Sequence, residues 1–192
     1  MITRVLPDAN VLFSRTTRDW LLLLADAAAQ GAFTVTYTED ILSETVYNLR
    51  RNYPHLTGTQ ITRINDSIAV AMSERIDDYG NGSDGPIADP FDNHVHAAAV
   101  AGRIDALVTS DKGFLDLTDE AKDSLPYEIY CPDEFFLLVD NSMPHHVRAV
   151  FETMLQHHQS VGKSLDFDDA LVQSSCPRFA ERVRAHWAAH IR

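Results

Sequence analysis

Four acidic residues lie far apart in the chain, and each closes an apolar segment or sits in a helical-looking one: Asp8, Glu44, Asp92 and Asp111. Asp8 ends Val5-Leu6-Pro7 and leads into Ala9-Asn10-Val11-Leu12-Phe13, while Asp111 follows Ala106-Leu107-Val108-Thr109. Glu44 belongs to the stretch Asp40-Ile41-Leu42-Ser43-Glu44-Thr45-Val46, and Asp92 opens Asp92-Asn93-His94-Val95-His96-Ala97-Ala98-Ala99. A hard divalent cation such as Mg²⁺ prefers oxygen ligands and keeps several waters for a phosphate substrate. Carboxylates gathered from these four places would suit it, and the chemistry implied is metal-dependent cleavage of a phosphodiester.

That chemistry requires a fold that brings distant segments together. Residues 3–7 are short, apolar and followed by a polar break, as expected of a buried parallel strand. Thr16 to Gln30 reads as a helix, with Thr17 as its cap and Gly31 as its stop. Phe33 to Tyr37 reads as a second strand, and Thr38 caps a helix that Pro54 ends. Ile41, Leu42, Thr45, Val46 and Leu49 set that helix's buried face, with Glu44 on its rim. A further helix is expected over Thr59–Arg75, then a turn-rich loop from Tyr79 to Pro86. Asp92 to Gly102 is the next helix, 105–109 and 127–131 are strands, and Pro132 opens a short helix. Strands alternating with helices imply a doubly wound α/β sheet, whose sites form at the carboxyl ends of the strands. Asp8 and Asp111 both fall there. Residues 141–192 differ: Pro144–His158, Phe167–Ser174 and Pro177–His190 read as helices with no strand between them, so a helical extension follows a domain of residues 1–140.

The 192 residues suffice for one domain with a real core, and the apolar and charged shares, 45% and 23%, are those of a globular protein. The run Trp20-Leu21-Leu22-Leu23-Leu24-Ala25 stops at Asp26, too short to span a membrane. Asp8 and Asn10 interrupt the place where a secretory signal would need its apolar block. Two cysteines, Cys131 and Cys176, read as reduced thiols, so a soluble cytoplasmic protein is expected. The net charge is −12, and the acidic excess lies in residues 1–140, which hold ten basic against 23 acidic side chains, while residues 141–192 are near neutral with six basic and five acidic. Such a balance disfavours nucleic acid unless bound cations offset part of it.

Each acid also has an ordinary structural use. Asp8, Asp92 and Asp111 could cap helices or turns, and Glu44 could pair with Arg50 or Arg51. The acids could equally hold a structural ion in a protein without catalytic activity. Of the nine histidines, only His186 and His190 have the spacing that puts a pair on one helical face, and no third ligand type accompanies them.

Taken together, the motifs resemble those of PIN-domain nucleases. Leu6-Pro7-Asp8-Ala9-Asn10-Val11-Leu12 is similar to the opening motif of that family, and Asp40-Ile41-Leu42-Ser43-Glu44 to its second, helical acid. Asp89-Pro90-Phe91-Asp92-Asn93-His94-Val95-His96-Ala97 resembles the third motif, and Asp105-Ala106-Leu107-Val108-Thr109-Ser110-Asp111-Lys112-Gly113-Phe114 the fourth. The resemblance covers about residues 1–140 and implies a three-layer α/β/α fold with a parallel sheet of four to five strands. It further implies an endoribonuclease dependent on Mg²⁺ or Mn²⁺, with Asp8, Glu44, Asp92 and Asp111 as the acidic quartet and Asp89 as an additional outer ligand. Asn10 and Thr109 would orient carboxylates or waters, and Lys112, Arg50 and Arg51 would contact RNA. Many bacterial single-domain members are VapC-like toxins of type II toxin–antitoxin pairs. An antitoxin partner and a homodimer are therefore expected; a role in RNA processing or decay without an antitoxin is the alternative. The helical extension departs from the minimal family pattern and is a candidate dimer or antitoxin surface.

Overall fold

Val5 and Leu6 have no exposed surface, which is what the middle strand of a parallel sheet demands of its side chains. They belong to β1 (Arg4–Pro7) in a computed structural model that describes residues 3–27, 33–80, 86–87, 89–90, 92–160 and 167–190. Short helix α1 (Ala9–Phe13) and helix α2 (Arg15–Ala27) follow. Thr17, Trp20, Leu21 and Leu24 are the buried positions of α2, at the spacing of a single helical face. Strand β2 (Thr34–Tyr37) leads into α3 (Glu39–Asn52). The Thr38 hydroxyl accepts the Ile41 N–H at 3.1 Å, with acids in the first turn and Arg50 and Arg51 in the last to complement the helix dipole. Helix α4 (Gly58–Ala71) starts with a reciprocal Thr57–Gln60 capping box.

The expected helix over 59–75 ends earlier than its periodicity suggests. Its last residues form β3 (Glu74–Arg75), which pairs parallel to β2 through Thr36↔Glu74 and Tyr37↔Arg75. Two exposed charged residues carry no alternation from which a strand could be read. Helix α5 (Asn93–Ala101), strand β4 (Ala106–Val108), the single turns α6 (Lys112–Leu115) and α7 (Asp119–Asp123), strand β5 (Glu128–Tyr130) and α8 (Pro132–Ser142) come next. Part of the expected loop 79–86 and the end of the expected helix 16–30 lie outside the described residues.

All strand pairs are parallel, in the order β3-β2-β1-β4-β5, with helices on both sides of the sheet. This is the doubly wound α/β/α architecture. The chain runs outward from β1 to β2 and β3, then returns to the other side of β1 to place β4 and β5. The reversal opens a crevice beyond the carboxyl ends of β1 and β4, where open α/β sheets bind ligands.

The C-terminal helices α9 (Pro144–Ser160), α10 (Phe167–Gln173) and α11 (Pro177–His190) pack against α2 and α8. Phe179 of α11 meets Trp20 edge-on at 4.9 Å and Phe136 of α8 at 5.0 Å, and all three rings are fully buried. The Asp133 carboxylate, 4% exposed, accepts from the Phe179 N–H and the Arg178 guanidinium, each at 2.8 Å. Asp140, also buried, lies 2.5 Å from His186 Nε2. No helix among the described residues is long and apolar enough to cross a membrane.

Candidate metal-dependent nuclease site

The register of the two central strands builds the first half of the site. Pro7 pairs with Val108, so the next residue on each strand, Asp8 and Thr109, meet at the sheet's edge. The Thr109 hydroxyl donates to Asp8 Oδ2 at 2.6 Å and accepts the Asp111 N–H at 2.9 Å. Asn10 makes the parallel link: its Nδ2 donates to Asp8 Oδ2 at 2.5 Å, and its Oδ1 accepts the Ser110 N–H at 2.9 Å. One hydroxyl and one amide thus clamp the end of β1 to the turn after β4. Asp8 also caps α1, with Oδ1 accepting the Ala9 N–H at 2.6 Å. A carboxylate has lone pairs enough for both tasks.

Asp111 caps α6 in the same way, accepting the Gly113 N–H at 2.6 Å. Gly113 is where the second half of the site comes close. A methyl group there would lie 2.9 Å from Asp92 Oδ2 and 3.0 Å from Asp111 Oδ1, so those two carboxylates face each other across a backbone without a side chain. Asp92 stands at the N-terminus of α5 but makes no side-chain capping bond, so the capping use open to it in the sequence is not realised. Glu44 projects from α3, held by Asn48 one turn on.

Electrostatics show that the four acids feel one another. Burial, followed by the charges of Asp111, Asp89, Asp8 and Glu44, pushes the Asp92 carboxyl up to about 6. Asp8 is 6% exposed, and burial raises its pKa against the opposing bonds from Thr109 and Ala9, with Asp111 adding to the rise. Burial and then the charge of Asp8 raise Glu44 as well. His94, two residues into the same segment as Asp92, favours the ionised forms of both Asp8 and Glu44.

The donors are all oxygen, the set a hard cation selects. Among the described residues no three His, Cys, Asp or Glu side chains close tightly enough to enclose an ion unaided. Mg²⁺ does not need that: it takes one or two carboxylates and completes its shell with water and phosphate. The acids fit such an ion, whose charge would offset the burial and the like charges that raise Asp8, Glu44 and Asp92.

The remaining expected positions are distributed unevenly. Arg51 lines a groove of about 730 Å³ together with Glu44, Asp92 and His94. Arg50 is exposed in the last turn of α3, and Lys112 is exposed where α6 begins. Asp89 acts on Asp92 through its charge. His94, Tyr47 and Asn48 also belong to this groove and were not among the residues expected from sequence. The signal for His94 was its place in the first turn after Asp92, and for Asn48 its place one turn after Glu44. His96 turns inward instead, its Nδ1 2.8 Å from the Tyr127 hydroxyl.

The cluster sets up a stability test. An acid whose folded pKa is raised binds its proton more tightly in the folded state, so stability falls as pH rises from about 4 to about 6 and stays lower above that window. Asp92→Asn removes the penalty. At pH 7.5 with chelator, the variant should be more stable than wild type by about 1 kcal/mol, allowing for solvent screening of a partly exposed group. That corresponds to a melting temperature about 2–4 °C higher, with the gap closing toward pH 4. Equal melting curves at both pH values would show that burial and the neighbouring acids do not raise the Asp92 carboxyl.

A parallel α/β domain with clustered carboxylates across its strand-order reversal has the form of a metal-using phosphodiester hydrolase. A family model described as the PIN domain matches residues 4–113, a span containing β1 to β4 and all four acids. The chain belongs to the PIN-domain family, whose members are typically nucleases and generally use divalent metal ions. No curated protein and no solved structure gives a significant match to the chain.

Proposed function

We propose that this protein is an endoribonuclease dependent on Mg²⁺ or Mn²⁺, acting as the VapC-like toxin of a type II toxin–antitoxin pair. The observation that carries the nuclease reading is the convergence of the acids: Asp92 Oδ2 and Asp111 Oδ1 face each other across Gly113, Thr109 ties Asp8 to the turn that carries Asp111, and Glu44 and Asp92 line one groove. Four carboxylates held in one electrostatic field are costly without a cation and productive with one. The toxin reading is supported by the resemblance of the four motifs to those of PIN-domain nucleases, many of whose bacterial single-domain members are such toxins.

Asp8, Glu44, Asp92 and Asp111 would hold the cation, which supplies the positive charge that acidifies water and neutralises the phosphate oxygens. Thr109 and Asn10 fix the Asp8 carboxylate, so its orientation costs no reorganisation when substrate arrives. Hydrolysis adds the water oxygen to phosphorus in line with the departing 3′ oxygen, breaking the P–O3′ bond.

The test is cleavage of an end-labelled structured RNA by the purified protein. Chelator should abolish cleavage, and added Mg²⁺ or Mn²⁺ should restore it; undiminished cleavage in chelator would sink the metal-dependent reading. Growth arrest on expression, relieved by the product of an adjacent open reading frame, would support the toxin assignment. A cell that grows normally while the active nuclease accumulates would favour RNA processing instead.

A further inference from the structure

Helix α3 carries an aromatic ring where its own core packing has no use for one. Tyr47 is 61% exposed, although it lies only three residues beyond Glu44 and lines the same groove. Its neighbours along that face are Ser43, Asn48 and Arg51, while Pro90, Asp92 and His94 form the opposite wall. Residues 44, 47/48 and 51 are one helical turn apart, so acid, ring, amide and guanidinium follow one another along a single stripe. From Glu44 to Arg51 the helix rises roughly 10 Å, the span of a short stretch of extended strand.

Each member of that stripe fits a different part of a nucleotide. An exposed ring in a polar groove suits a group with a flat apolar face and a polar rim, which describes a nucleobase. Asn48 offers both donors and acceptors to a base edge. Arg51 offers a planar fork to a phosphate, and among the described residues that line the groove it is the one Lys or Arg. The groove's volume, about 730 Å³, lies within the range of small-molecule sites.

We propose that Tyr47 and Arg51 form a nucleotide subsite beside the acids, in which an unpaired base stacks on Tyr47 while Arg51 holds a neighbouring phosphate. The assignment rests on the nuclease reading of the acidic cluster and adds to it a residue outside the acids, Tyr47, that holds the base. A paired base is already stacked within its helix and cannot present its face to the ring. The exposed ring therefore selects loops, bulges and ends.

The experiment has a binding arm and a cleavage arm. In the first, an Asp8→Asn protein is titrated with a single-stranded RNA oligomer carrying 2-aminopurine, with and without Tyr47→Ala or Tyr47→Phe. Stacking on Tyr47 should quench the probe; Tyr47→Ala should remove the quench and weaken binding about tenfold, and Tyr47→Phe should retain both. In the second, the same Tyr47 substitutions in the otherwise wild-type protein are assayed with Mg²⁺ on a single-stranded and a fully paired RNA. The wild-type protein should cut the single strand much faster than the paired RNA, and Tyr47→Ala should slow cleavage of the single strand and so shrink that difference. Wild-type-like binding and cleavage by Tyr47→Ala overturns the subsite while the nuclease reading stands. So does a Tyr47→Ala defect confined to self-association in sedimentation, which would make the ring a protein contact. Absence of cleavage by the wild-type protein overturns the nuclease reading, and the quench then decides the subsite separately.

Discussion

Asp8→Asn is expected to abolish RNA cleavage, lowering the rate at least about a thousandfold, while leaving the fold intact. Loss of a partner that merely orients a metal ligand typically costs ten- to a hundredfold, and loss of one preorganised electrostatic contact a hundred- to a thousandfold. Asp8, proposed as a ligand at the centre of the site, should exceed the first range. The fold should survive because the asparagine keeps an oxygen for the Ala9 N–H that Asp8 now accepts at 2.6 Å. Its amide nitrogen would then face Thr109 and Asn10, forfeiting bonds of 2.6 and 2.5 Å. That loss, about 1–2 kcal/mol, is offset by removal of a buried charge whose pKa burial has raised. The check pairs a labelled-RNA assay with a thermal melt. Metal-dependent cleavage surviving in a folded Asp8→Asn protein would remove Asp8 from the site.

Phe179→Ala is the second large effect, and it concerns the helical extension. The Phe179 ring touches Trp20 of α2 at 4.9 Å and Phe136 of α8 at 5.0 Å, while its backbone N–H donates to buried Asp133. Deleting the ring leaves a cavity among three elements and should cost about 3–5 kcal/mol. For a chain of this size, that lowers the melting temperature by roughly 10–15 °C. Because α2 and α11 share those contacts, the melt should shift as one transition. A change below about 1 kcal/mol, or a separate early transition for the C-terminal helices, would show that they fold apart from the sheet domain. The reading of residues 141–192 as a distinct extension is open to the same measurement.

Those helices illustrate which parts of the molecule could be read in advance. Their existence followed from periodicity, and so did α3, α5 and the strands β1, β2, β4 and β5. What periodicity misses is structure too short to have a period. Strand β3 is two exposed charged residues, fixed only by pairing with Thr36 and Tyr37. The turns α1 and α6 span five and four residues and are held by the Asp8 and Asp111 caps rather than by propensity.

The candidate site shows the same division. Asp8 and Asp111 were legible because a buried strand must end, and polar residues mark the ending. Asn10 and Thr109 were named through the family resemblance, and their bonds to Asp8 depend on strand register, which no single segment contains. Asp92 reads in the sequence as a cap as well as a ligand, and α5 lacks the side-chain capping bond that the first use requires. Tyr47 was invisible for the opposite reason: an aromatic residue within an amphipathic helix is ordinarily taken for core. Only tertiary packing reveals that this ring faces outward.

The pairing of Pro7 with Val108 gives the four acids unequal footing. Asp8 and Asp111 are anchored to the middle of the sheet, where sliding one strand past the other would flip every buried side chain to the wrong face. Glu44 and Asp92 stand on helices, whose packing tolerates small shifts without changing a register. The arrangement is a vice with one fixed jaw and one adjustable jaw. Substitutions that retune which substrate fits should therefore gather on α3 and around residues 90–94, and the fixed jaw should accept almost none.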